Sequence, residues 1–331
     1  MTRGMTIRNL SVFSLVVMVF TMLFGVNTVS AESGQAFSIS PPVVELKANR
    51  GDEANITIKL TNLSSGPLSI AVETNDFGAK NETGEPNIIF DDSGKDSIYT
   101  LKDWVVIPND FTIQSKETRS VTFPITIPAN AEPGGHYGVI RFTGTTAGGD
   151  SQQVALSASI GSLVLLQVNG TITTSASIED FYTANADFSK NSFFESSPLQ
   201  VVSRIKNTGN VHIKPTGTVE ITDMFGKKIS TIRMNGDPND EKNRPGSILP
   251  QSIRRFNSEL KDMQLFGRYT ATMKLTYGDG KTLEKSTEVW VVPYRQILIV
   301  LAVLAILAVG LVFGLKRYNA YIIKKAHSPK Q

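Results

Sequence analysis

The sequence contains no cysteine. This absence excludes disulfide bridges, cysteine nucleophiles and zinc sites built from thiolates. Histidine is scarce as well: the chain has 3, of which His136 and His212 fall in different predicted domains and His327 lies in the C-terminal tail. No Gly-x-Ser-x-Gly motif stands near them and no pair of carboxylates is singled out by its spacing, so neither a catalytic triad nor a glycosidase site is indicated. We predict a protein that is not an enzyme and that binds no cofactor.

The middle of the chain lacks a basic surplus. The formal net charge of the whole sequence is +3, but residues 1–31 hold two basic residues and residues 316–331 hold five, with no acidic residue in either segment. Without these two segments the remaining chain has a net charge of −4. A mildly acidic middle gives no basic footprint for nucleic acid, so nucleic-acid binding is excluded as a function.

Charge is also missing from residues 297–315, an apolar stretch of 19 residues. As a helix it would be roughly 28 Å long, close to the hydrocarbon thickness of about 30 Å of a bilayer. Lys316 and Arg317 follow at once, and no acidic residue comes after Glu288. Because short basic flanks stay in the cytoplasm, we predict a single-pass transmembrane helix at 297–315, a cytoplasmic tail at 316–331 and an extracellular N-terminal portion in the cell membrane.

The N-terminus has the pattern of a secretory signal. Arg3 and Arg8 precede an uncharged apolar stretch at 11–26, and small residues lead to Ala31. This pattern predicts a signal peptide at 1–31 that is cleaved after Ala31, with an uncleaved N-terminal anchor as the alternative. In both cases the middle of the chain is exported. Exported chains without cysteine are common in bacteria with a single membrane, so a bacterial surface is favoured.

No convincing amphipathic helix is present between the two apolar segments, but strand patterns are frequent. Ile56, Ile58 and Leu60 alternate with Thr57 and Lys59. The same alternation recurs at 121–127 and 269–277. A period of two with one apolar face is typical of antiparallel strands that are half buried. Short strands of this kind, separated by Gly, Pro, Asn and Asp, predict β-sandwiches.

The strand patterns also indicate an internal duplication. One strand ends at Asn62 in ITIKLTN and another ends at Asn207 in VVSRIKN, each followed by a polar turn. Further on, Tyr137 and Tyr269 each stand two residues after a glycine at the start of a strand. A tyrosine in this position can make the corner hydrogen bond of immunoglobulin-like sandwiches.

The predicted fold class is therefore all-β, with two tandem immunoglobulin-like β-sandwiches plus a single C-terminal transmembrane α-helix. The first sandwich is predicted at 36–170 and the second at 171–293. The first repeat is thirteen residues longer between its asparagine and its tyrosine. We expect the extra residues between Asn75 and Trp104.

At this level the chain resembles the WxL-interacting protein family over nearly its whole length. The resemblance is carried by the signal, by FSISPPVVELKANRGDEANITIKLTN, by a strand with Trp104 and by PITIPANAEPGGHYGVIRF. The second sandwich, the single membrane helix and the basic tail complete it. The sandwiches of that family are linked with binding of peptidoglycan and of surface partners or host factors. The resemblance implies a membrane-anchored adhesion or scaffold protein of a bacterial envelope, and it transfers no ligand residue to this chain.

A candidate ligand-binding surface lies in the long polar region 76–103 and just after it. Five apolar side chains interrupt this region: Ile88, Ile89, Phe90, Tyr99 and Trp104. In the functional interpretation their outward face holds a glycan or protein ligand. In the structural one they form an extra hairpin that closes the sandwich, with Trp104 in the core. A second long polar loop lies at 235–246 and is either functional or merely mobile.

Calcium is the one metal that the sequence makes plausible, although no metal ligand is assigned. Acidic residues cluster in two loops: Asp91, Asp92 and Asp96 in the first, and Asp237, Asp240 and Glu241 in the second. Calcium needs six to eight oxygen ligands, which such loops can supply. Neither loop has EF-hand spacing, and Asp and Asn are also the residues that turns prefer.

Gly310 and Gly314 form a Gly-x-x-x-Gly pair in the apolar stretch. Small residues at this spacing let two membrane helices approach closely, which makes a homodimer through this contact an open alternative.

Three functions are compatible with these features. The first is a surface-anchored binding or scaffold protein that engages a cell-wall polymer or another envelope protein without covalent chemistry. The second is an accessory subunit of an envelope transport or secretion complex, whose membrane helix makes the contacts. The third is a tethered assembly chaperone that binds strands at a sheet edge of the first domain.

Overall fold

The protein is described from a computed structural model. The described residues are 36–91, 97–146, 157–196, 199–240, 243–260 and 266–326. The predicted signal peptide at 1–31 lies outside them. The strands of the first half are β1 (Phe37–Ser40), β2 (Val43–Ala48), β3 (Glu53–Asn62), β4 (Leu68–Lys80), β5 (Glu85–Ile89), β6 (Phe111–Ile113), β7 (Thr118–Thr126), β8 (Gly134–Thr146) and β9 (Ser157–Val168). Those of the second half are β10 (Ala176–Ala184), β11 (Phe193–Phe194), β12 (Leu199–Asn207), β13 (Thr216–Asp223), β14 (Lys228–Met234), β15 (Ile253–Leu260), β16 (Gly267–Tyr277) and β17 (Lys281–Val291).

The first half folds into sandwich 1. One sheet has the order β1-β3-β7, and the other has the order β2-β9-β8-β4-β5, with β6 paired to β4. Ile56, Ile58 and Leu60 are buried between the sheets while Thr57 and Lys59 are exposed, as the alternation predicted. The core between the sheets is completed by Phe123 and Phe142, whose rings meet edge to face at 5.8 Å between centroids, among others.

The second half folds into sandwich 2 with an equivalent topology. Its sheets have the orders β10-β12-β15 and β11-β17-β16-β13-β14. In both sandwiches the first strand is divided: its first part pairs antiparallel in one sheet, and its second part pairs parallel with the last strand of the other sheet. The strand β6 is the addition that sandwich 1 carries. Two sandwiches with the same strand order confirm the predicted all-β fold and account for the repeated sequence patterns.

The two asparagines of the repeat play the same part in the two sandwiches. Asn62 and Asn207 are completely buried at the ends of β3 and β12. The side-chain amide of Asn207 donates to the carbonyl oxygens of Val211 and Ile248, both at 2.8 Å. That of Asn62 donates to three carbonyl oxygens, those of Gly66, Ile113 and Gln114. Each asparagine therefore closes its own turn and ties it to a distant loop.

The helix α1 (Tyr294–Ala326) follows β17 after only two residues. It is longer than the predicted span 297–315, because the pattern of good helix formers continues through the basic tail. Among the described residues it is the one helix long and apolar enough to cross a membrane, and its apolar side chains are exposed. A Cβ atom on Gly310 or Gly314 would meet no other atom within 4 Å, so the contact between two helices stays a prediction.

Candidate binding groove between the two sandwiches

The hairpin formed by β4 and β5 leaves sandwich 1 and crosses to sandwich 2. Up to Asp76, β4 pairs with β8; beyond it, residues Phe77–Lys80 pair with β5. The buried carboxylate of Asp76 stabilises this separation, because it accepts hydrogen bonds from Thr100 Oγ1 at 2.6 Å and from the main-chain N–H groups of Leu101 and Lys102, both at 2.8 Å. The long polar region 76–103 therefore contains a hairpin, whose position is fixed at its base.

The tip of this hairpin docks on three arginines of sandwich 2. Arg204 donates from Nε to the Glu82 carboxylate at 2.8 Å, and a second bond from Nη2 makes the pair bidentate. The Arg204 guanidinium holds the pKa of the Glu82 carboxyl below its usual value. The main-chain carbonyl of Glu82 accepts a bond of 2.8 Å from the N–H of Arg255. Arg254 occupies the space next to Gly84, where a Cβ atom would lie 2.3 Å from Cζ of its guanidinium.

A second junction joins the sandwiches at Tyr137. Its hydroxyl oxygen accepts a hydrogen bond of 2.9 Å from the main-chain N–H of His212 and lies 3.3 Å from Nδ1 of the same residue. Burial lowers the pKa of His212 to about 4 and raises the pKa of Tyr137 above its usual value. The imidazole is therefore neutral at neutral pH, and its Nδ1 can accept the tyrosine O–H.

Tyr137 and its counterpart Tyr269 thus use their hydroxyl groups differently. Tyr269 bonds locally, to the main-chain N–H and C=O of Phe266 at 3.0 and 3.1 Å. This is the corner geometry that the Gly-x-Tyr pattern predicted. Tyr137 bonds across the junction instead, so in sandwich 1 the predicted corner is replaced by a contact between domains. Gly135 permits this, because a Cβ atom there would lie 1.8 Å from the Tyr137 hydroxyl oxygen.

Three further contacts fix the junction. The main-chain N–H of Gly135 donates to the carbonyl oxygen of Asn210 at 2.8 Å. The side-chain amide of Asn210 donates back to the carbonyl oxygen of Pro133 at 3.1 Å. Lys214 of sandwich 2 forms a salt bridge with Glu45 of sandwich 1. With the hairpin tip, these contacts hold the sandwiches at several separate places, so their relative orientation is specified rather than free.

Between the hairpin and the junction lies a groove of about 520 Å³. Its walls come from both sandwiches and from the hairpin. The apolar residues that line it include Val43, Phe77, Leu163 and Leu165 from sandwich 1 and Ile248, Leu249 and Ile253 from sandwich 2. The charged residues along it are Glu45, Glu85, Lys214, Arg244 and Arg254. We name this cavity the interdomain groove. Its size is in the range of cavities that bind ligands.

The predicted ligand residues are not all brought together. Ile88 and Tyr99 pack against the apolar cluster of Phe77, Tyr137 and Leu165 beside the groove. Tyr99 and Ile89 line a smaller cavity of about 120 Å³. Trp104 instead packs against the core of sandwich 1, with its ring 4.3 Å from that of His136 between centroids. Phe90 is exposed, and the Arg141 guanidinium lies 4.9 Å from its ring centroid.

The predicted acidic loops are described only in part. Asp92, Asp96 and Glu241 lie outside the described residues. Asp237 is paired with Arg233 and accepts a bond of 3.0 Å from the N–H of Asn239, as a turn aspartate does. Within the described ranges, no three His, Asp or Glu residues are grouped so that they could hold a metal ion.

Sequence reasoning missed the residues that sandwich 2 contributes to the groove. Leu249 lies in a polar loop that carries no periodic pattern, and Arg254 follows that loop. Glu82 stands at the tip of the insertion, where the residue types are those of any turn. The feature that could have pointed to the junction is the group of arginines at 204, 254 and 255 on two neighbouring strands.

Replacing Glu82 by glutamine is expected to loosen the hairpin tip. The neutral side chain keeps its shape but loses the charge-assisted bidentate bond to Arg204, which for this partly exposed pair is worth on the order of 1 kcal/mol. Hydrogen exchange at 76–89 should become faster, whereas the strands of both sandwich cores should be unchanged. Glu85→Gln is the matched control, since Glu85 pairs with Lys80 at 3.5 Å within the hairpin itself. Equal exchange in the two variants would contradict the docking role of Glu82.

Comparison with known proteins adds little to this description. No family model matches the sequence, and no curated protein matches it. Among solved structures, the class 5 fimbriae chaperone CfaA has a TM-score of 0.40 at 14% identity, with 76% of this chain and 98% of that chain covered. A complex of Salmonella enterica SafA pilin with the SafB chaperone has a TM-score of 0.37 at 9% identity, with 79% and 99% covered. A CsuC–CsuE chaperone–adhesin complex of Acinetobacter baumannii has a TM-score of 0.35 at 11% identity, with 77% and 99% covered.

Proposed function

We propose that this chain is a membrane-anchored binding protein of the cell surface that holds an extended segment of another envelope protein, without covalent chemistry, in the interdomain groove. The observation that carries the proposal is the groove itself. It is lined by both sandwiches and by a hairpin whose base and tip are fixed by hydrogen bonds. A cavity held open in this way loses little conformational entropy when a ligand binds.

The lining of the groove favours a polypeptide over a cell-wall glycan. Val43, Leu163 and Leu165 present aliphatic groups along one wall. Apolar side chains of a polypeptide gain free energy when they are buried against such a wall. A glycan presents hydroxyl groups, whose burial is unfavourable unless each is hydrogen bonded. Charged side chains of both signs along the groove add partners for polar groups of the bound segment.

The hairpin supplies main-chain groups for an extended segment as well. Beyond Asp76, β4 has only β5 as a strand neighbour among the described residues. The other edge of residues Phe77–Lys80 can therefore pair with an added strand, as in β-augmentation. This observation favours a second candidate function, the tethered assembly chaperone, which would bind the unpaired strand of a partner that has not finished folding.

The helix α1 would localise this binding activity. It spans roughly 50 Å at the usual rise of 1.5 Å per residue, enough to cross a bilayer and extend the basic tail beyond it. The predicted orientation, with the sandwiches outside and the tail inside, follows from the basic residues after Leu315. Membership in the WxL-interacting protein family agrees with this arrangement and stays a proposal. Binding of peptidoglycan is the alternative to a polypeptide ligand and also stays a proposal.

A groove-filling substitution tests the proposal. Val43 lines the groove and is 44% exposed. In Val43→Trp the indole ring should occupy the space of the ligand. The ligands for this test are peptides selected from a random library for binding to the unaltered protein. We expect the full-length variant in nanodiscs to bind these peptides at least about tenfold more weakly than the unaltered protein does, which corresponds to about 1.4 kcal/mol.

Leu63→Trp is the matched control, because Leu63 is also 44% exposed on sandwich 1 and does not line the groove. Its peptide affinity should be unchanged. Sedimentation with purified peptidoglycan is measured in parallel. If Val43→Trp abolished co-sedimentation with peptidoglycan while peptides did not bind the unaltered protein, the ligand would be a wall polymer and the proposal would be wrong.

A further inference from the structure

Sandwich 2 carries a group of exposed apolar side chains at the end from which α1 emerges. Isolated exposed apolar residues are common on soluble proteins, but a contiguous group marks an interaction surface. The exposed fractions are 87% for Phe225, 65% for Phe266, 50% for Phe193, 48% for Met224 and 46% for Trp290. We name these five residues the basal patch.

The strand register places the whole patch at one end of the sandwich. Gly267, which follows Phe266, pairs with Val291, the last residue of β17. Phe193 pairs with Trp290 in the parallel ladder of β11 and β17. The turn with Met224 and Phe225 extends beyond the pair formed by Asp223 and Tyr269, towards the same end. The opposite end of sandwich 2 faces sandwich 1.

The turn at 223–227 holds Phe225 away from the protein. The carboxylate of Asp223 accepts bonds of 2.9 Å from the N–H groups of both Phe225 and Lys227. Gly226 supplies the positive φ of +79° that the turn requires. Polar residues and glycine normally occupy the tip of such a turn. A turn that presents phenylalanine at its tip therefore favours an apolar environment that covers it.

The start of α1 shows what that environment is. Two residues separate β17 from α1, and an extended connection of this length reaches at most about 10 Å. Ile297 begins the apolar run three residues into the helix, about 4.5 Å further. The headgroup layer of one leaflet is itself roughly 5–8 Å thick. Together these lengths place the end of β17 within about 15 Å of the start of the apolar run, so the basal patch lies close to the headgroups whenever 297–315 crosses the bilayer.

The first turn of the helix is also held against the patch. Arg295 pairs with Glu195 at 3.3 Å. The ring of Tyr294 lies 6.5 Å from that of Phe193 between centroids. These contacts favour an arrangement in which the first turn of the helix lies beside the patch.

We propose that the basal patch is a lipid-binding surface: Phe225, Phe266, Phe193 and Trp290 insert into the headgroup region of the outer leaflet and hold the two sandwiches upright on the membrane. The proposal rests on the membrane anchoring proposed above. Aromatic side chains prefer this interfacial region, because one part of it is apolar and the other is hydrated. The interdomain groove is thereby held at a defined height above the bilayer.

Spin labels provide the test, because a chain without cysteine needs no background substitution. Single variants Phe225→Cys, Phe90→Cys and Phe313→Cys of the full-length chain carry a nitroxide in vesicles of phosphatidylcholine and phosphatidylglycerol. Phe90 is the matched control, exposed on sandwich 1, and Phe313 lies within the apolar run. The ratio of accessibility to oxygen over accessibility to a nickel chelate rises with depth in lipid. We expect the ratio at 225 to exceed that at 90 at least about threefold.

A second arm separates the role of the aromatic residues from that of the tether. In a Phe193→Ser, Phe266→Ser background, the ratio at 225 should fall at least about twofold. An unchanged ratio would show that the tether alone holds this end at the lipid and would overturn the proposal.

The remaining outcomes distinguish contact of the basal patch with lipid from anchoring of α1 in the membrane. A label at 313 that the nickel chelate reaches would overturn the membrane anchoring and the lipid surface together. A label at 313 buried in lipid, with a label at 225 that resembles the one at 90, would overturn the lipid surface and leave the anchor and the groove standing.

Discussion

Replacing Asn207 by alanine is expected to lower the free energy of unfolding of sandwich 2 by about 4 kcal/mol. The side chain is completely buried. Its removal leaves the carbonyl oxygen of Val211 without its donor and the N–H of Gly209, which lies 2.9 Å from Asn207 Oδ1, without its acceptor. The carbonyl oxygen of Ile248 loses one of its two donors and keeps the N–H of Ile213. Each buried polar group left unpaired costs about 1–3 kcal/mol. Alanine also leaves a cavity that these groups cannot fill.

The two tryptophans make this prediction measurable, because Trp104 lies in sandwich 1 and Trp290 in sandwich 2. Urea unfolding of the full-length chain in nanodiscs is followed by the fluorescence of each tryptophan, with the other replaced by phenylalanine. Asn207→Ala should shift the Trp290 transition to lower urea and affect the Trp104 transition less. Asn62→Ala should do the reverse.

Asn185→Ala is the control for loss of an asparagine as such. Asn185 is exposed and bonds to Ser189 and Asn191 at the surface. Water can replace those partners, so the expected change is below about 1 kcal/mol. If Asn185→Ala destabilised the protein as much as Asn207→Ala, the buried hydrogen bonds would not explain the effect.

Acid is expected to weaken the junction between the sandwiches through His212. The pKa of this residue is lowered by burial to about 4, whereas in the unfolded chain it has the ordinary value of about 6.5. Above pH 6.5 both states are neutral and this residue makes no difference to stability. As the pH falls from about 6.5 to 4, the unfolded state binds a proton that the folded state does not, so stability decreases. The full loss is roughly 3 kcal/mol.

The charged and titratable groups around His212 have opposing effects on its protonation. Glu45 favours the protonated form, whereas Lys214 and Lys47 oppose it. Tyr137 lies against Nδ1 and would lose an acceptor if that atom became protonated. Acid should therefore separate the sandwiches at this junction before either core unfolds.

The melting temperature of the full-length chain, measured between pH 7.5 and pH 4, tests the prediction. His212→Gln stays neutral throughout, so its melting temperature should decline less over this range than that of the unaltered protein. His136→Gln is the control, since His136 bonds to carbonyl oxygens of Thr100 and Glu132 within sandwich 1. Parallel pH profiles for His212→Gln and the unaltered protein would rule out His212 as the source.

The strands and the helix could be predicted from the sequence because their signals are local. In β3 and β16, apolar residues alternate with polar ones. A strand with one buried face requires this spacing whichever strands it pairs with. The apolar run at 297–315 is likewise sufficient to indicate α1. The duplication was visible for a related reason, since Asn62 and Asn207 must each follow a strand to close the turn after it.

The candidate site was predicted only in part. The sequence singled out the region between Asn75 and Trp104, and this region contains the hairpin that crosses between the sandwiches. The strand that sandwich 1 carries in addition, β6, lies after this region. For the apolar residues of this region the sequence left two interpretations open, a shared outward surface or a hairpin that closes the sandwich with Trp104 in the core. In the structure Trp104 packs against the core of sandwich 1, as in the second interpretation, while Phe90 faces solvent. The sequence carries no signal for the change of strand partner at Asp76.

The sequence by itself determined the all-β character, the repeat and the apolar helix, because each depends on periodicity or length along the chain. The tertiary structure decided where the two sandwiches meet. Glu82 contacts Arg204 and Tyr137 contacts His212 across separations of 122 and 75 residues. The groove and the basal patch exist only once these distant segments are in place, since a surface formed by several segments is a property of their packing and not of any one of them.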